Sequence, residues 1–568
     1  MKKIKIKILA VLVILTFTTC SEDFLTVENI NNLSVESWYK TMDDFTLAIN
    51  SCYCSLADGG LYGLQYNLLF NSFDDRILFE TTGFDQFNIN STSNNVSNIW
   101  RAIYFGLYRP SMLIRNLKDK DVDEIEGMNQ DQKDNYLAQA KGLRAMTYFY
   151  LVTFFDRPIF YNEDNIPDKD LRANLTNGKR EEFWNQIVKD LEEAIPDLPK
   201  RTELNDADLG RVTQGMAQAL LGKAMLFKHY YYYSRFGNAG SAEDVADLNK
   251  GKQAFLNLIN SGEYSLIQPQ AKTKWDYIYA HLCTFSYIDL PSENYTYPSE
   301  NNSEAIWQVQ YSDERIAGGW LPGWQWSGTL NFQYFSPHGS SYRNLEIHPN
   351  LFNEFETAGV PEPFASLPEP YNRDPRAYST CYLDGDTMHF DPTQTYYKKY
   401  LSGVNNKRVA KSRGLTMPTG TNGLGLKKYY YPVYNDLNAP RNDPFNRTII
   451  RYADVLLMYA ETQFLLGDDG TGLARLNEVR ARVDMPAVPA LTRDAIMHER
   501  DVELATEGHR WFDLIRWSFD SAWGINFDEI FNGTDGQDNF IVGKNEFLPL
   551  PLVELELHNG QLKQNPGW

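Results

Sequence analysis

Residues 133–155 constrain the fold more than any other stretch. Leu137, Ala140, Leu143, Ala145, Tyr148, Leu151 and Phe155 recur three and four apart, which is the period of one helix face. Pro158 follows, and proline lacks the N–H that a continuing helix needs. The same period returns at 34–56, 99–118, 181–195, 212–233, 248–260, 451–466 and 471–483. Taken in order, these segments and 133–155 form about four helix pairs. Thr213, or Asp208-Leu209-Gly210 before it, supplies an N-cap signal for 212–233. The last pair is joined by Gly467-Asp468-Asp469-Gly470, and a glycine at that point suits a left-handed C-cap. Small residues such as Ala140, Ala219, Ala224, Ala460 and Ala474 let neighbouring helices approach closely. The reading is a mostly α, tetratricopeptide-like array of helix pairs.

The stretch from about 265 to 445 breaks the pattern. It is rich in Gly, Pro, Asn, Ser and Tyr, with short strands predicted at Glu304–Tyr311 and Lys427–Pro432. It reads as a large, loop-rich insertion between the third and fourth pairs. The helical scaffold then covers about 34–264 and 446–520. Long irregular segments in compact proteins usually carry function, although a cap over the helices is the plainer alternative.

The first residues are an export signal. Lys2, Lys3, Lys5 and Lys7 precede an apolar run, Ile8 to Phe17, too short to span a bilayer. Cys20 stands where a bacterial lipoprotein carries its lipidated cysteine, so 1–19 is read as the signal peptide and 20–568 as one mature domain. A diacylated, N-acylated cysteine would anchor the chain, since each buried methylene contributes about 0.8 kcal/mol. The formal net charge is -20, with no dense basic cluster beyond the signal, which argues against a nucleic-acid partner. Cys52, Cys54, Cys283 and Cys381 lack zinc-site spacing and could be a disulfide or buried thiols. Asp384-Gly385-Asp386 and Asp468-Asp469 have too few ligands for a calcium loop and read as turns. No pattern calls for a cofactor or a metal.

The last third carries a resemblance. It reads Arg451-Tyr452-Ala453-Asp454-Val455-Leu456-Leu457-Met458-Tyr459-Ala460-Glu461, then Leu476-Asn477-Glu478-Val479-Arg480-Ala481-Arg482. Ile496-Met497-His498-Glu499-Arg500-Asp501-Val502-Glu503-Leu504 and Glu507-Gly508-His509-Arg510-Trp511-Phe512-Asp513-Leu514-Ile515-Arg516-Trp517 follow, and Gln564-Asn565-Pro566-Gly567 ends the chain. In this order, with Gly210-Arg211-Val212-Thr213, Arg373-Asp374-Pro375-Arg376 and the lipoprotein start, the blocks resemble the SusD/RagB family. The resemblance implies a non-catalytic, surface-exposed outer-membrane lipoprotein that binds oligosaccharide. It also implies a partner, a SusC-type TonB-dependent transporter. Ser21-Glu22-Asp23 resembles the acidic stretch that follows the cysteine in surface lipoproteins of this kind. Physically, Glu499, Arg500, Glu503, Glu507, Arg510, Asp513 and Arg516 recur three or four apart, so pairing along helices is expected. Trp100, Leu504, Phe512, Leu514 and Trp517 read as core.

Sugars are bound by stacking aromatic rings on their CH faces and hydrogen-bonding their hydroxyl rims. The strongest local candidate is Gly318–Gly328, where Trp320, Trp324 and Trp326 fall between Gly and Pro residues. Such a segment cannot be a regular helix. It is either a stacking platform or a plug packed on the helices. Asp75 and Arg76, in Phe73-Asp74-Asp75-Arg76, have the chemistry to bond hydroxyls, although a salt-bridged loop explains them more simply. Phe84-Asp85-Gln86-Phe87 is the other N-terminal stretch of interest, and Tyr287, Trp275 and Tyr277 are weaker aromatic candidates. Two alternatives stay open. One keeps the fold and changes the cargo to peptide or glycoprotein, as the RagB branch suggests. The other is a glycoside hydrolase, which needs two carboxylates roughly 5–10 Å apart in an aromatic cleft; no Gly-x-Ser-x-Gly, His-Glu-x-x-His or phosphate loop is present.

Overall fold

The computed structural model describes residues 38–79, 86–167, 175–285, 300–311, 345–369, 371–382, 424–429, 445–531 and 539–568. Trp320, Trp324, Trp326, Tyr287, Cys20, Phe84 and Asp85 lie outside these residues.

Four helix pairs form the scaffold. The first pairs α1 (Met42–Cys54) with α3 (Asn94–Leu117), and α2 (Gln65–Ser72) and strand β1 (Ile77–Phe79) lie between them. Thr41 and Asp44 cap α1 reciprocally, each side chain accepting from the other's backbone N–H. The second pairs α4 (Gln130–Phe155) with α5 (Arg180–Ala194). From Ala138 onward nearly every α4 residue is buried, which makes α4 the central helix. It ends at Phe155, three residues before Pro158, with Asp156 at φ +61°. The third pairs α6 (Gln214–Lys228), capped by the Thr213 hydroxyl, with α7 (Ala242–Asn260). A π turn, His229–Tyr233, extends α6 to the predicted boundary.

The insertion supplies α8 (Lys274–Leu282), β2 (Ala305–Val309), β3 (Leu345–Ile347), α9 (Pro349–Glu354), α10 (Arg376–Thr380), β4 (Cys381–Tyr382) and β5 (Leu424–Leu426), and β6 (Arg447–Arg451) follows where the chain re-enters the scaffold. Strand β2 falls within the predicted Glu304–Tyr311. The second predicted strand is displaced: β5 ends at Leu426, before Lys427, because Lys427 and Lys428 turn inward to bond carbonyl groups. Tyr430–Pro432 lie outside the described residues. The strands β1-β3-β5-β4 form one antiparallel sheet, in that order, and β2 pairs separately with β6.

The fourth pair is α11 (Tyr452–Leu465) and α12 (Asp469–Arg482), with Gly467 at φ +74° in the predicted left-handed cap. Helices α13 (Arg493–Glu503), α14 (Arg510–Ser518), α15 (Phe527–Phe531) and α16 (Leu552–Leu557) complete the chain. One hydrophobic core runs from Phe45 to Leu562 and joins insertion and scaffold. Cys52 and Cys283 are buried free thiols, Cys54 is a half-buried one, and Cys381 is buried.

Candidate functional site

The acid–base run of the last third does not pair chiefly along its helices, as the spacing suggests. Only Arg516 to Asp513 is such a pair, at 2.9 Å. The rest bridge elements. Glu503 of α13 takes Arg376 of α10 at 3.0 Å, Arg451 of β6 at 2.6 Å and Arg482 of α12 at 2.6 Å. Glu499 takes Arg376 and Arg480. Arg500 spans Asp454 of α11 and Asp513 of α14. All of these side chains are buried. Helix periodicity puts them on one face of α13 and α14, but what that face meets is another layer of arginines. Burial would raise the Glu503 pKa, but Arg482, Arg451 and Arg376 outweigh it and hold the carboxyl well below its usual range. Each carboxylate here accepts from at least one guanidinium, and Asp454 Oδ2 is left without a hydrogen bond. The cluster ties insertion to scaffold as a clamp. His498 lies 3.1 Å from Glu356, and burial holds His509 low, at about 4.

Asp75 and Arg76 belong to the same construction. Asp75 accepts from Arg510 at 2.8 and 3.0 Å, and Arg76 donates to Asp501 at 2.9 Å and to Glu354 at 2.9 Å. Asp75 is 8% exposed. Both side chains are occupied within the protein, and their work is to fix the start of β1 against α13, α14 and α9. Trp100 is core, at 4% exposed. Tyr277 is buried and bonds Asp484 at 2.6 Å, while Trp275 stacks on Tyr279.

The register of β1 and β3 matters more for ligand binding. The strands are antiparallel, and Phe79, the last residue of β1, lies opposite Leu345, the first of β3. The chain leaving β1 leads to Phe84-Asp85-Gln86-Phe87. The chain entering β3 comes from the segment holding Trp320, Trp324 and Trp326. The chain therefore leaves β1 and enters β3 at the same end of one strand pair. Phe87 is anchored by stacking on Phe73 at 5.2 Å and by Trp511 at 5.6 Å.

A second concavity was not anticipated from sequence. Trp100, Tyr104, Phe105 and Tyr108 of α3, with Tyr161 and His558, line an open cleft of about 410 Å³. Phe105 and Tyr108 are 39% and 40% exposed, and Arg101 and Arg109 flank the Phe105 ring. The available signal was two aromatics three apart on the outer face of an amphipathic helix.

Comparison with known proteins places these features. A family model described as the SusD family matches residues 303–568. A second, described as starch-binding associating with outer membrane, matches 23–226. The SusD-like protein P25 of Formosa agariphila is 24% identical, across 98% of this chain and 97% of its own length. A SusD-like protein of Bacteroides ovatus is 23% identical over 80% of this chain and 74% of its own length. Among solved structures, a laminarin-binding SusD-like protein superposes with a TM-score of 0.64 at 24% identity, covering 93% of this chain and all, 100%, of that one. Surface glycan-binding protein A from Bacteroides thetaiotaomicron, in complex with laminarihexaose, gives a TM-score of 0.67 at 18% identity over 92% of this chain and 99% of that one.

Proposed function

Because the chain belongs to the SusD family, we propose that it is a surface-exposed outer-membrane lipoprotein, anchored through Cys20, that binds oligosaccharide and passes it to a SusC-type TonB-dependent transporter. It performs no chemistry on the glycan. The observation that supports this reading is the register of β1 and β3, by which the chain running to the aromatic N-terminal stretch and the chain coming from the tryptophan-rich segment leave and enter one end of one sheet. Rings attached at a common point form a platform for a sugar face, and the arginine–carboxylate clamp beneath holds that point rigid. Trp320, Trp324 and Trp326 carry the stacking. Two of the similar proteins are described as binding laminarin or in complex with laminarihexaose, so β-glucans head the candidate cargo.

The test is a binding screen of the mature chain, residue 21 onward, against a polysaccharide panel that includes laminarin, beside the Trp320/Trp324/Trp326 triple alanine variant. Binding to one glycan class, lost in the variant, supports the assignment. Binding that survives there but disappears in a Phe105→Ala/Tyr108→Ala variant moves the contact to the α3 cleft. Release of reducing sugar by the pure protein overturns the non-catalytic role. Peptide binding with no glycan binding replaces the cargo.

A further inference from the structure

One buried arginine stands apart from the clamp. Arg447 and Arg451 are the two ends of β6. Arg451 is satisfied by Glu304, Glu503 and Glu507. Arg447 is 3% exposed, and neither its Nε–H nor its Nη1–H has an acceptor among the described residues. Its guanidinium lies 4.0 Å over the Tyr429 ring and hydrogen-bonds that side chain, which offers no anion. A buried charge without an ion-pair partner costs several kcal/mol and is rarely tolerated.

Arg447 lines a cavity of about 30 Å³ between β6, α4, α6 and the start of α14. One water-sized occupant needs about 10–15 Å³, so this volume admits two waters or one small ion. Its polar wall holds Tyr62 and Tyr150, whose hydroxyls bond each other, with Tyr66, Lys223, His509, Glu507 and Asp513. The two carboxylates are already consumed. Glu507 takes Arg451 and Lys428 at 2.7–2.8 Å, and Asp513 takes Arg500 and Arg516 at 2.8–3.1 Å. The Lys223 amine is 3.6 Å from Asp454 Oδ2, which lacks a hydrogen bond and balances that charge. Burial holds His509 low, at about 4, so it is neutral at neutral pH. Burial pushes the tyrosine hydroxyls up, so they are neutral donors as well. The positive charge of Arg447 and its two unfilled N–H donors remain.

We propose that this cavity binds a single small monovalent anion of chloride size, held by the Nε–H and Nη1–H of Arg447. The ion joins β6, where the insertion returns to the scaffold, to the wall formed by α4 and the Tyr62–Tyr66 segment. The proposal is independent of glycan binding.

Two measurements on the mature chain test it. Crystals soaked in bromide are expected to show an anomalous peak beside Arg447 inside the cavity. At constant ionic strength, replacing sodium gluconate with sodium chloride is expected to raise the Tm by a few degrees and to saturate, because an ion bound only by the folded state stabilises it by mass action. Arg447→Met removes that rise, and Arg447→Lys, which keeps the charge but loses the fork, weakens it. A cavity filled by water alone in the bromide map overturns the proposal. So does a chloride response unchanged in Arg447→Met. Should Arg447→Met not fold, the bromide map of the unaltered protein decides the matter.

Discussion

Glu503 concentrates the logic of the clamp in one side chain. Its carboxylate is fully buried and meets three guanidiniums, from Arg376, Arg451 and Arg482. Removing one member of a buried pair strands the others, at a cost of about 3–5 kcal/mol. Glu503→Gln is therefore expected to lose that much stability in denaturant unfolding, and a loss below about 1 kcal/mol would show that the arginines find other partners. His498 gives a pH-dependent counterpart. Burial alone would lower its pKa, but Glu354 and Glu356 raise it to about 9, from 6.5. A group whose pKa rises on folding stabilises fully below its unfolded value and loses that contribution as pH climbs through the folded one. The Tm gap between the unaltered protein and His498→Gln is thus expected to be widest below pH 6.5 and to close through about pH 9. A gap constant from pH 6 to 10 would mean that the His498 charge contributes nothing. The sequence displayed these charges and their spacing, but not their partners. Nothing in Arg447-Thr-Ile-Ile-Arg451 distinguishes the arginine with three carboxylate partners from the one with none among the described residues, because that difference is made by Glu304 before β2, Glu503 of α13 and Glu507 in the turn before α14.

At the scale of elements, the helix pairs were legible because each depends on local information: an apolar period, a cap and a stop. Thr213, Gly467 and Pro158 act where the sequence places them. The displaced β5 was not legible, because its end is set by Lys428 reaching the Glu503 and Ala505 carbonyls and Glu507, contacts more than 70 residues away. The α6–α7 crossing shows how closely the pairs pack. A Cβ on Gly222 would overlap the Phe255 ring, and one on Gly251 would lie 2.8 Å from Met225 Cβ. Each glycine faces a large side chain of the other helix. Alanine is the better helix former by about 1 kcal/mol, so an isolated helix would gain from Gly222→Ala. Packing opposes this, since overfilling a core costs about 1–3 kcal/mol. The expected outcome is net destabilisation, read as a lower denaturant midpoint. An unchanged or raised midpoint would show that Phe255 swings aside freely.

Across the whole molecule, the two ends of the described chain are tied into one body, and the candidate platform hangs from that tie. Leu548 N–H donates to the Phe154 carbonyl, and the Asn565 amide donates to the Phe155 and Leu548 carbonyls, so the tail closes over the end of α4. Arg510 of α14 holds Asp75, just before β1, and Phe79 at the far end of β1 lies opposite Leu345. The sequence marked the three tryptophans by their Gly and Pro surroundings. It could not show that the chain after them enters the sheet beside the end of β1, because strand register is a property of two distant segments at once. This geometry separates two classes of variant. Replacing Trp320, Trp324 and Trp326 with alanine removes stacking surface without touching the clamp. It is expected to abolish glycan binding with little change in Tm. Arg510→Ala touches no ligand but leaves Asp75 buried without its strongest partner, which costs about 3–5 kcal/mol and frees the start of β1. Its expected signature is a lower Tm together with weaker glycan binding, and both are partly restored by Asp75→Asn in the same chain, which removes the stranded charge. Titration calorimetry and thermal melts on the three variants check this. Full glycan affinity in an Arg510→Ala protein that melts early would separate the platform from the β1–β3 junction and locate the ligand elsewhere, with the α3 cleft next in line.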